Sequence, residues 1–309
     1  MRKNFKFKDT NGLEINAYKW IPDNECNIKA VIQIAHGMAE PILRYDYFAN
    51  KLCENGYIVY GNDHRGHGLT AKNKEEFGYL GDNGFMAMVE NMKDLSKIIE
   101  KNHPKLPLIL FGHSMGSFLS QRYAQIYGDS IDGLILSATS GKPPLKMNFG
   151  ILLSKIEMKL KGEKHRSTII NKLSFGDFNN KFKPCRTEFD WLCSVEKEVD
   201  KYIANDYCGF VNTSSFYYDF FKGLKELHEP KNMDLIPKKL PIYIFAGDKD
   251  PVGNFGKGIL DLYSIFKKNN IENVKYKLYK EGRHEMLNEV NKGEVISDVL
   301  EWIKNTMKY

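Results

Sequence analysis

Apolar and polar positions change rhythm three times along this chain. Over residues 2–20 they alternate, with a break at Asn11-Gly12. That predicts a hairpin of two strands, the second running from Leu13 to Trp20. From residue 30 onward, short unbroken apolar runs alternate with segments of helical period. Ala30–Ala35, Tyr57–Tyr60, Leu106–Phe111 and Ile131–Ser137 read as buried parallel strands. Tyr45–Glu54, ending at Asn55-Gly56, and Phe85–Lys101, stopped before Pro104, read as helices. From about Thr139 to about Pro237 the buried-strand runs disappear and the chain turns polar and aromatic. Lys155–Lys164 is charged, Phe175–Lys183 is polar with three phenylalanines, and Phe216–Leu227 carries an aromatic helical pattern. The first rhythm then resumes with a strand at Pro241–Ala246, a helix near Gly258–Asn269, a strand at Val274–Tyr279 and a terminal helix. Alternating β and α elements predict an α/β protein, a mainly parallel sheet with helices on both faces. Residues 1–138 and 238–309 would form its core, and 139–237 an inserted, mostly helical subdomain.

Composition narrows this picture without changing it. The chain has 309 residues, 42% hydrophobic and 27% charged, enough to bury a large core. Mean hydropathy is −0.45, and no apolar run reaches bilayer-spanning length. The basic stretch Met1–Asp9 lacks an apolar core region, so it is expected to be a first strand rather than a signal peptide. Five cysteines (Cys26, Cys53, Cys185, Cys193, Cys208) are odd in number and lack zinc or CxxC spacing. Reduced thiols in a cytoplasmic protein are the expectation. The net charge of +6 comes mostly from scattered lysine. Phosphate binding needs a clustered basic stripe, so no nucleic-acid partner is expected. Weak attraction to anionic surfaces is compatible with the surplus.

The chemistry concentrates at strand ends. Gly112-His113-Ser114-Met115-Gly116 follows an apolar strand and opens a helix, the context a nucleophile elbow requires. A sharp strand-to-helix reversal would leave the Ser114 hydroxyl exposed, and glycine at 112 and 116 would let the two backbones approach. The first turn of the helix would present N–H groups to negative charge developing beside Ser114. A serine nucleophile needs a base, and the base an orienting carboxylate, in the chain order Ser, acid, His. Asp248 and Asp250 follow one later strand, and His284 follows the next. Asp250 is preferred as the acid, because Pro251 favours an extended backbone at 250; Asp248 reads as a local Asx-turn. For a tetrahedral intermediate the backbone N–H groups of Met115 and Met38 are the candidate donors. His36 reads as a buried histidine bracing the Met38 loop. Asp63-His64-Arg65-Gly66-His67-Gly68 invites a metal reading, but its spacing matches no common site, so loop bracing is expected and no metal. His113 reads as a packing residue.

Taken together, His36-Gly37-Met38-Ala39-Glu40 with Arg44-Tyr45, Asp63–Gly68, Gly112–Gly116, Gly247-Asp248-Lys249-Asp250-Pro251-Val252 and Gly282-Arg283-His284-Glu285-Met286-Leu287-Asn288-Glu289 resemble the monoacylglycerol lipase/lysophospholipase family of α/β-hydrolases. Pro41 departs from the family, which often has His there, and the insertion cannot be aligned by motif. The resemblance implies an α/β-hydrolase fold with Ser114, Asp250 and His284 as catalytic triad. It also implies Met38 and Met115 as oxyanion donors, a helical cap over an acyl pocket, and no cofactor. A small lipid ester is the implied substrate, most of all monoacylglycerol. The alternatives on the same triad are a lysophospholipase or a small-peptide aminopeptidase. The latter needs acids in the cap to hold an amino group, and Glu188, Asp190, Glu196, Glu198 and Asp200 are the candidates. A non-enzymatic binder would be expected to lack a triad or oxyanion element, and none is missing. Any transient contact with a membrane surface is expected through the cap.

Overall fold

Among the described residues eight strands form one sheet in the order β1-β2-β4-β3-β5-β6-β7-β8. The computed structural model describes residues 1–24, 27–143 and 147–307; Cys26, among the expected thiols, lies outside them. Strands β1 (Arg2–Lys8) and β2 (Glu14–Trp20) form the expected antiparallel hairpin. Its turn closes on Asp9, whose carboxylate accepts the Asn11 and Leu13 N–H groups. β2 runs antiparallel to β4 (Tyr57–Asn62). The remaining strands, β3 (Ala30–Ala35), β5 (Leu108–His113), β6 (Gly133–Ser137), β7 (Ile242–Gly247) and β8 (Val274–Tyr279), join β4 in a parallel array.

Period-two side-chain alternation divides the buried residues of these strands between two cores. Val31, Leu108 and Leu110 pack on one face under helices α2 (Gly84–Asn102), α3 (Met115–Tyr127) and α9 (Lys257–Lys268). Ile32, Ile34, Ile109 and Phe111 pack on the other under α1 (Asp46–Glu54) and α10 (Lys292–Thr306). Most bounds shift by one or two residues from expectation, and one shift has a clear cause. The helix placed from Tyr45 begins instead at Asp46, after a 3-10 turn over Ile42–Tyr45. Two buried carboxylates hold that turn: Asp63 accepts the Ile42 N–H and Glu40 accepts the Tyr45 hydroxyl.

Between β6 and β7 the described residues form helices α4 (Met147–Lys161), α5 (Thr168–Phe175), α6 (Glu196–Ile203), α7 (Ser214–Leu227) and the single turn α8 (Pro230–Met233). Their sole β feature is an isolated bridge between Arg166 and Thr213. α7 packs on α2 and α3 of the sheet layer, and α4 packs on α7. Among the described residues no helix is long and apolar enough to cross a membrane.

Candidate active site

Ser114 stands between β5 and α3 at φ 51° and ψ −119°. A non-glycine residue in this region carries strain on the order of 1–3 kcal/mol, so its surroundings must hold it there. The Ser114 N–H donates to the Ser137 carbonyl of β6 at 3.0 Å. The Ser114 carbonyl accepts from the Ser117 N–H at 2.9 Å and the Ser117 hydroxyl at 2.6 Å. The glycines meet the close approach expected of them. A Cβ on Gly116 would run into the carbonyls of Ala35 and His36 at the end of β3, and one on Gly112 into the Gly116 carbonyl. Packing of α3 against β3 thus sets where the serine sits.

Two later loops converge because Gly247, the last residue of β7, lies against the Gly282 carbonyl, where a Cβ would collide. The Lys249 N–H donates to that same carbonyl at 2.9 Å. Across this junction His284 Nδ1 donates to Asp250 Oδ1 at 2.9 Å, and the Val252 N–H donates to the same oxygen at 2.9 Å. Asp250 is fully buried and His284 is 3% exposed. With Nδ1 protonated toward the carboxylate, Nε2 is left as the acceptor. Burial alone would lower the His284 pKa; the Asp250 charge and its hydrogen bond outweigh that and hold it above the ordinary 6.5. Its ring lies 4.9 Å from that of His113, the residue before Ser114, and 5.0 Å from Trp191 of the inserted segment. Burial and the neighbouring His284 pull His113 down to about 4, so it stays neutral. Its Nδ1 lies 3.1 Å from the Ser137 hydroxyl.

Asp248 faces elsewhere, and its Asx-turn reading needs correction. Its Oδ1 accepts the Glu281 N–H at 2.8 Å. The carboxylate therefore pins the turn after β8, where Glu281 takes φ 58°, rather than closing a local loop.

The loop after β3 abuts the serine. A Cβ on Gly37 would lie 3.3 Å from the Ser114 Cβ. As the first residue of α3, Met115 has no intrahelical acceptor for its N–H. Among the described residues the Met38 N–H meets no acceptor either. Both donors are thus open, on the two segments that flank Ser114. Glu40 shapes the loop: its Oε1 accepts the Gly37 N–H at 2.7 Å and the Tyr45 hydroxyl at 2.8 Å. Arg44 then binds Glu40 and grips Glu285, the neighbour of His284, through two bonds of 2.6 and 2.7 Å. Its guanidinium lies 4.8 Å from the Tyr202 ring centre on α6, and the Tyr202 hydroxyl donates to the Ala39 carbonyl at 3.2 Å. Burial pushes the Glu40 pKa up, but the Arg44 charge and hydrogen bonds more than offset it, leaving the carboxyl ionised. One arginine so ties the Met38 loop, the His284 loop and the inserted segment together. Glu40, Arg44, Tyr45 and Glu285 stand in the motifs noted from the sequence, which gave them no role, and Tyr202 stands in none of them. The available signal was an acid and an arginine at i,i+4, with an acid directly after the histidine.

His36 and His67 brace loops, as expected, whereas the His64 ring is buried with neither nitrogen hydrogen-bonded among the described residues and braces nothing through its side chain. His36 is buried, with Nδ1 2.7 Å from the Gly37 carbonyl, and its Nε2 accepts the His64 N–H at 2.9 Å. His67 Nδ1 lies 2.8 Å from the Arg65 carbonyl. Burial takes His36 and His67 to about 3, and both are neutral. Asp63 uses its carboxylate on the Ile42 and Leu69 N–H groups and the Asn16 amide. Among the described residues no group of side chains is arranged to hold a metal ion.

Comparison with known proteins agrees with this architecture. The family model described as "Serine aminopeptidase, S33" matches residues 27–291. A monoacylglycerol lipase of Mycolicibacterium smegmatis is 25% identical, with 98% of this chain and 97% of that one aligned. A monoglyceride lipase homolog of Monkeypox virus is 26% identical over 91% of each chain. Among solved structures, a thermostable carboxyl esterase from Bacillus coagulans, crystallised with glycerol, superposes with a TM-score of 0.89 at 29% identity over 99% of both chains.

Proposed function

The chain belongs to the "Serine aminopeptidase, S33" family of α/β-hydrolases, and from that premise we propose that it cleaves carboxylic esters of lipids, foremost monoacylglycerol, through an acyl-enzyme on Ser114. The observation that carries this reading is the buried Asp250–His284 pair, its ring 4.9 Å from that of His113, which precedes a serine held at positive φ. In the proposed reaction Ser114 Oγ attacks the ester carbonyl and His284 Nε2 takes its proton. Asp250 stabilises the imidazolium, and the N–H groups of Met38 and Met115 receive the oxyanion. His284 returns the proton to the leaving alcohol; it then takes a proton from a water that attacks the acyl carbon, and gives it back to Ser114 Oγ as the fatty acid leaves. The held tautomer supports the base role, because only Nε2 is then free to accept.

The relatives named for monoacylglycerol support the substrate class, and residues 139–237 act as the cap in this reading, between core parts 1–138 and 238–309. The aminopeptidase alternative finds less support. It needs free carboxylates aimed at the site, and the cap acids are engaged elsewhere. Asp190 accepts the Arg186 and Thr187 N–H groups, Glu196 and Asp200 face Arg186, and Glu198 pairs with Lys201 and Lys292. Glu188 is exposed. The test is a comparison of kcat/KM for a monoacylglycerol, a lysophospholipid and an aminoacyl anilide, with Ser114→Ala as control. Monoacylglycerol should lead and the anilide should not turn over. Faster anilide cleavage would replace the lipid reading with the peptidase one.

A further inference from the structure

Trp191 of the inserted segment lies against the His284 imidazole, its ring centre 5.0 Å away and its plane tilted by 45°. It stands in the middle of a 3-10 turn over Asp190–Leu192. Hydrogen bonds fasten that turn to the His284 loop. The Glu285 N–H donates to the Leu192 carbonyl at 2.7 Å. The Arg283 guanidinium donates to the Asp190 carbonyl and, at 3.2 Å, to the Cys193 carbonyl. Buried Glu289 accepts the Ser194 N–H at 2.9 Å and the Arg283 N–H at 3.1 Å on one oxygen, and the Ser194 hydroxyl on the other. Within the inserted segment, Asn179 Oδ1 accepts the Trp191 N–H at 2.8 Å. Trp191 and His284 are therefore held as one unit, although they come from segments far apart in the chain.

The indole is not a sealed core position. Trp191, Phe175 and Phe178 are each only partly buried. Phe178 meets the indole edge to face with ring centres 4.9 Å apart, and Phe175 lies nearly parallel to it at 6.3 Å. These three rings form a partly open aromatic wall beside the base. The geometry of ester cleavage decides what meets it. The ester carbon bonds to Ser114 Oγ, and the leaving oxygen must come within about 3 Å of His284 Nε2 to take its proton. The acyl chain stays on Ser114, so the group carried past the imidazole is the alcohol. A flat apolar alcohol can stack on such a wall. A negatively charged one is disfavoured, because four buried carboxylates, Asp250, Glu285, Glu40 and Glu289, lie about this flank against two guanidiniums, Arg44 and Arg283.

We propose that Trp191, backed by Phe175 and Phe178, walls a leaving-alcohol subsite that takes neutral aromatic alcohols, so that the chain also hydrolyses aromatic esters of fatty acids. Ester and water give fatty acid and aromatic alcohol, with the proton on the alcohol oxygen delivered by His284. The inference rests on the serine-esterase reading above and adds a class of alcohol to it.

The experiment measures kcat/KM on the decanoate esters of methanol, benzyl alcohol and 4-carboxybenzyl alcohol, with methyl butyrate as an acyl control. The proteins are wild type, Trp191→Leu, Trp191→Phe and Ser114→Ala. Methanol and benzyl alcohol are leaving groups of nearly equal basicity, so their ratio reads binding at the alcohol side. Wild type should favour benzyl over methyl decanoate by about fivefold or more, and the 4-carboxybenzyl ester should lose that advantage. Trp191→Leu, which keeps apolar bulk without the π face, should bring the benzyl-to-methyl ratio close to one, and Trp191→Phe should restore most of it. The decanoate-to-butyrate ratio of the methyl esters should not move. A wild-type benzyl-to-methyl ratio near one, or a 4-carboxybenzyl ester cleaved faster than the benzyl ester, would overturn the subsite, and both stand whether or not a variant folds. So would a ratio that survives Trp191→Leu, or a variant that shifts the acyl ratio instead, since the wall would then serve the acyl chain. Failure of the esterase reading would look different. Methyl decanoate would go uncleaved by wild type or be cleaved by Ser114→Ala, and the subsite would fall with it.

Discussion

Two regions of this molecule hold an aspartate and histidines, buried, just beyond parallel strands, and only one pairs the carboxylate with an imidazole ring. After β4, Asp63 aims its carboxylate at backbone N–H groups and an asparagine, and no hydrogen bond joins it to His64 or His67. Without a carboxylate partner, burial drives the pKa of His36, His64 and His67 far below the ordinary value. After β7 and β8, the Asp250 carboxylate faces the ring of His284, and the same burial ends in a raised pKa. The contrast teaches that residue type and burial do not raise a histidine's pKa. The direction in which the carboxylate points does.

The widest separation between the regions should come from removing each carboxylate. Asp250→Asn should lower kcat by about 10⁴-fold, because Asn favours the wrong tautomer and cannot stabilise the imidazolium. Ser114→Ala should lose at least as much; steady-state rates on a soluble ester with protein of verified fold decide both. Near-normal turnover by either variant would overturn the triad.

Asp63→Ala should act on stability instead. It strands two backbone N–H groups and an amide, at a cost of about 2–4 kcal/mol, read as a lower urea midpoint. The folded fraction should keep far more activity than Asp250→Asn retains. A loss of kcat comparable to that of Asp250→Asn would erase the distinction drawn here.

A pH profile sharpens the comparison further. In the proposed reaction the base works neutral, so kcat/KM should fall as pH drops through the His284 pKa, and that limb should lie above 6.5 because the folded value is raised. In Asp250→Asn the residual activity should show the limb shifted to lower pH, since burial would then act without its counterweight. A wild-type limb below 6.5 would mean that the carboxylate does not govern the ring.

The smallest effect should come from Asp248→Asn. The amide oxygen can still accept the Glu281 N–H, so a change of about 1 kcal/mol or less in stability is expected, with activity near wild type. A larger loss in kcat than for Asp250→Asn would reverse the assignment of the acid.

Much of this was legible in the chain. β3 and β8 begin and end where their apolar and alternating runs do, at Ala30–Ala35 and Val274–Tyr279. α1 stops at Glu54, ahead of Gly56 with φ 85°. Ser114, Asp250 and His284 could be singled out because each sits directly behind a strand, where local spacing already says which way the backbone turns. The Asp248 turn was misread because the N–H it accepts lies 33 residues away, beyond any local rule.

What the sequence determined by itself, then, was everything encoded in period and punctuation: the alternation of strand and helix, the helical character of the insertion, and the motifs at strand ends. Those follow from local sterics and from the rhythm of burial. What only the tertiary structure decided was which groups face one another. The Arg44 clamp joins residues 241 apart. Glu157 turns inward because Ser214, from another helix, is there to meet it. Leu153 of α4 packs on the core while Phe149, Leu152, Ile156 and Leu160 stay outside, since a helix has one interior side and a neighbour chooses it. Hydrophobic period tells how a helix is striped; which stripe is buried depends on long-range contacts whose sum is settled only when the chain closes on itself.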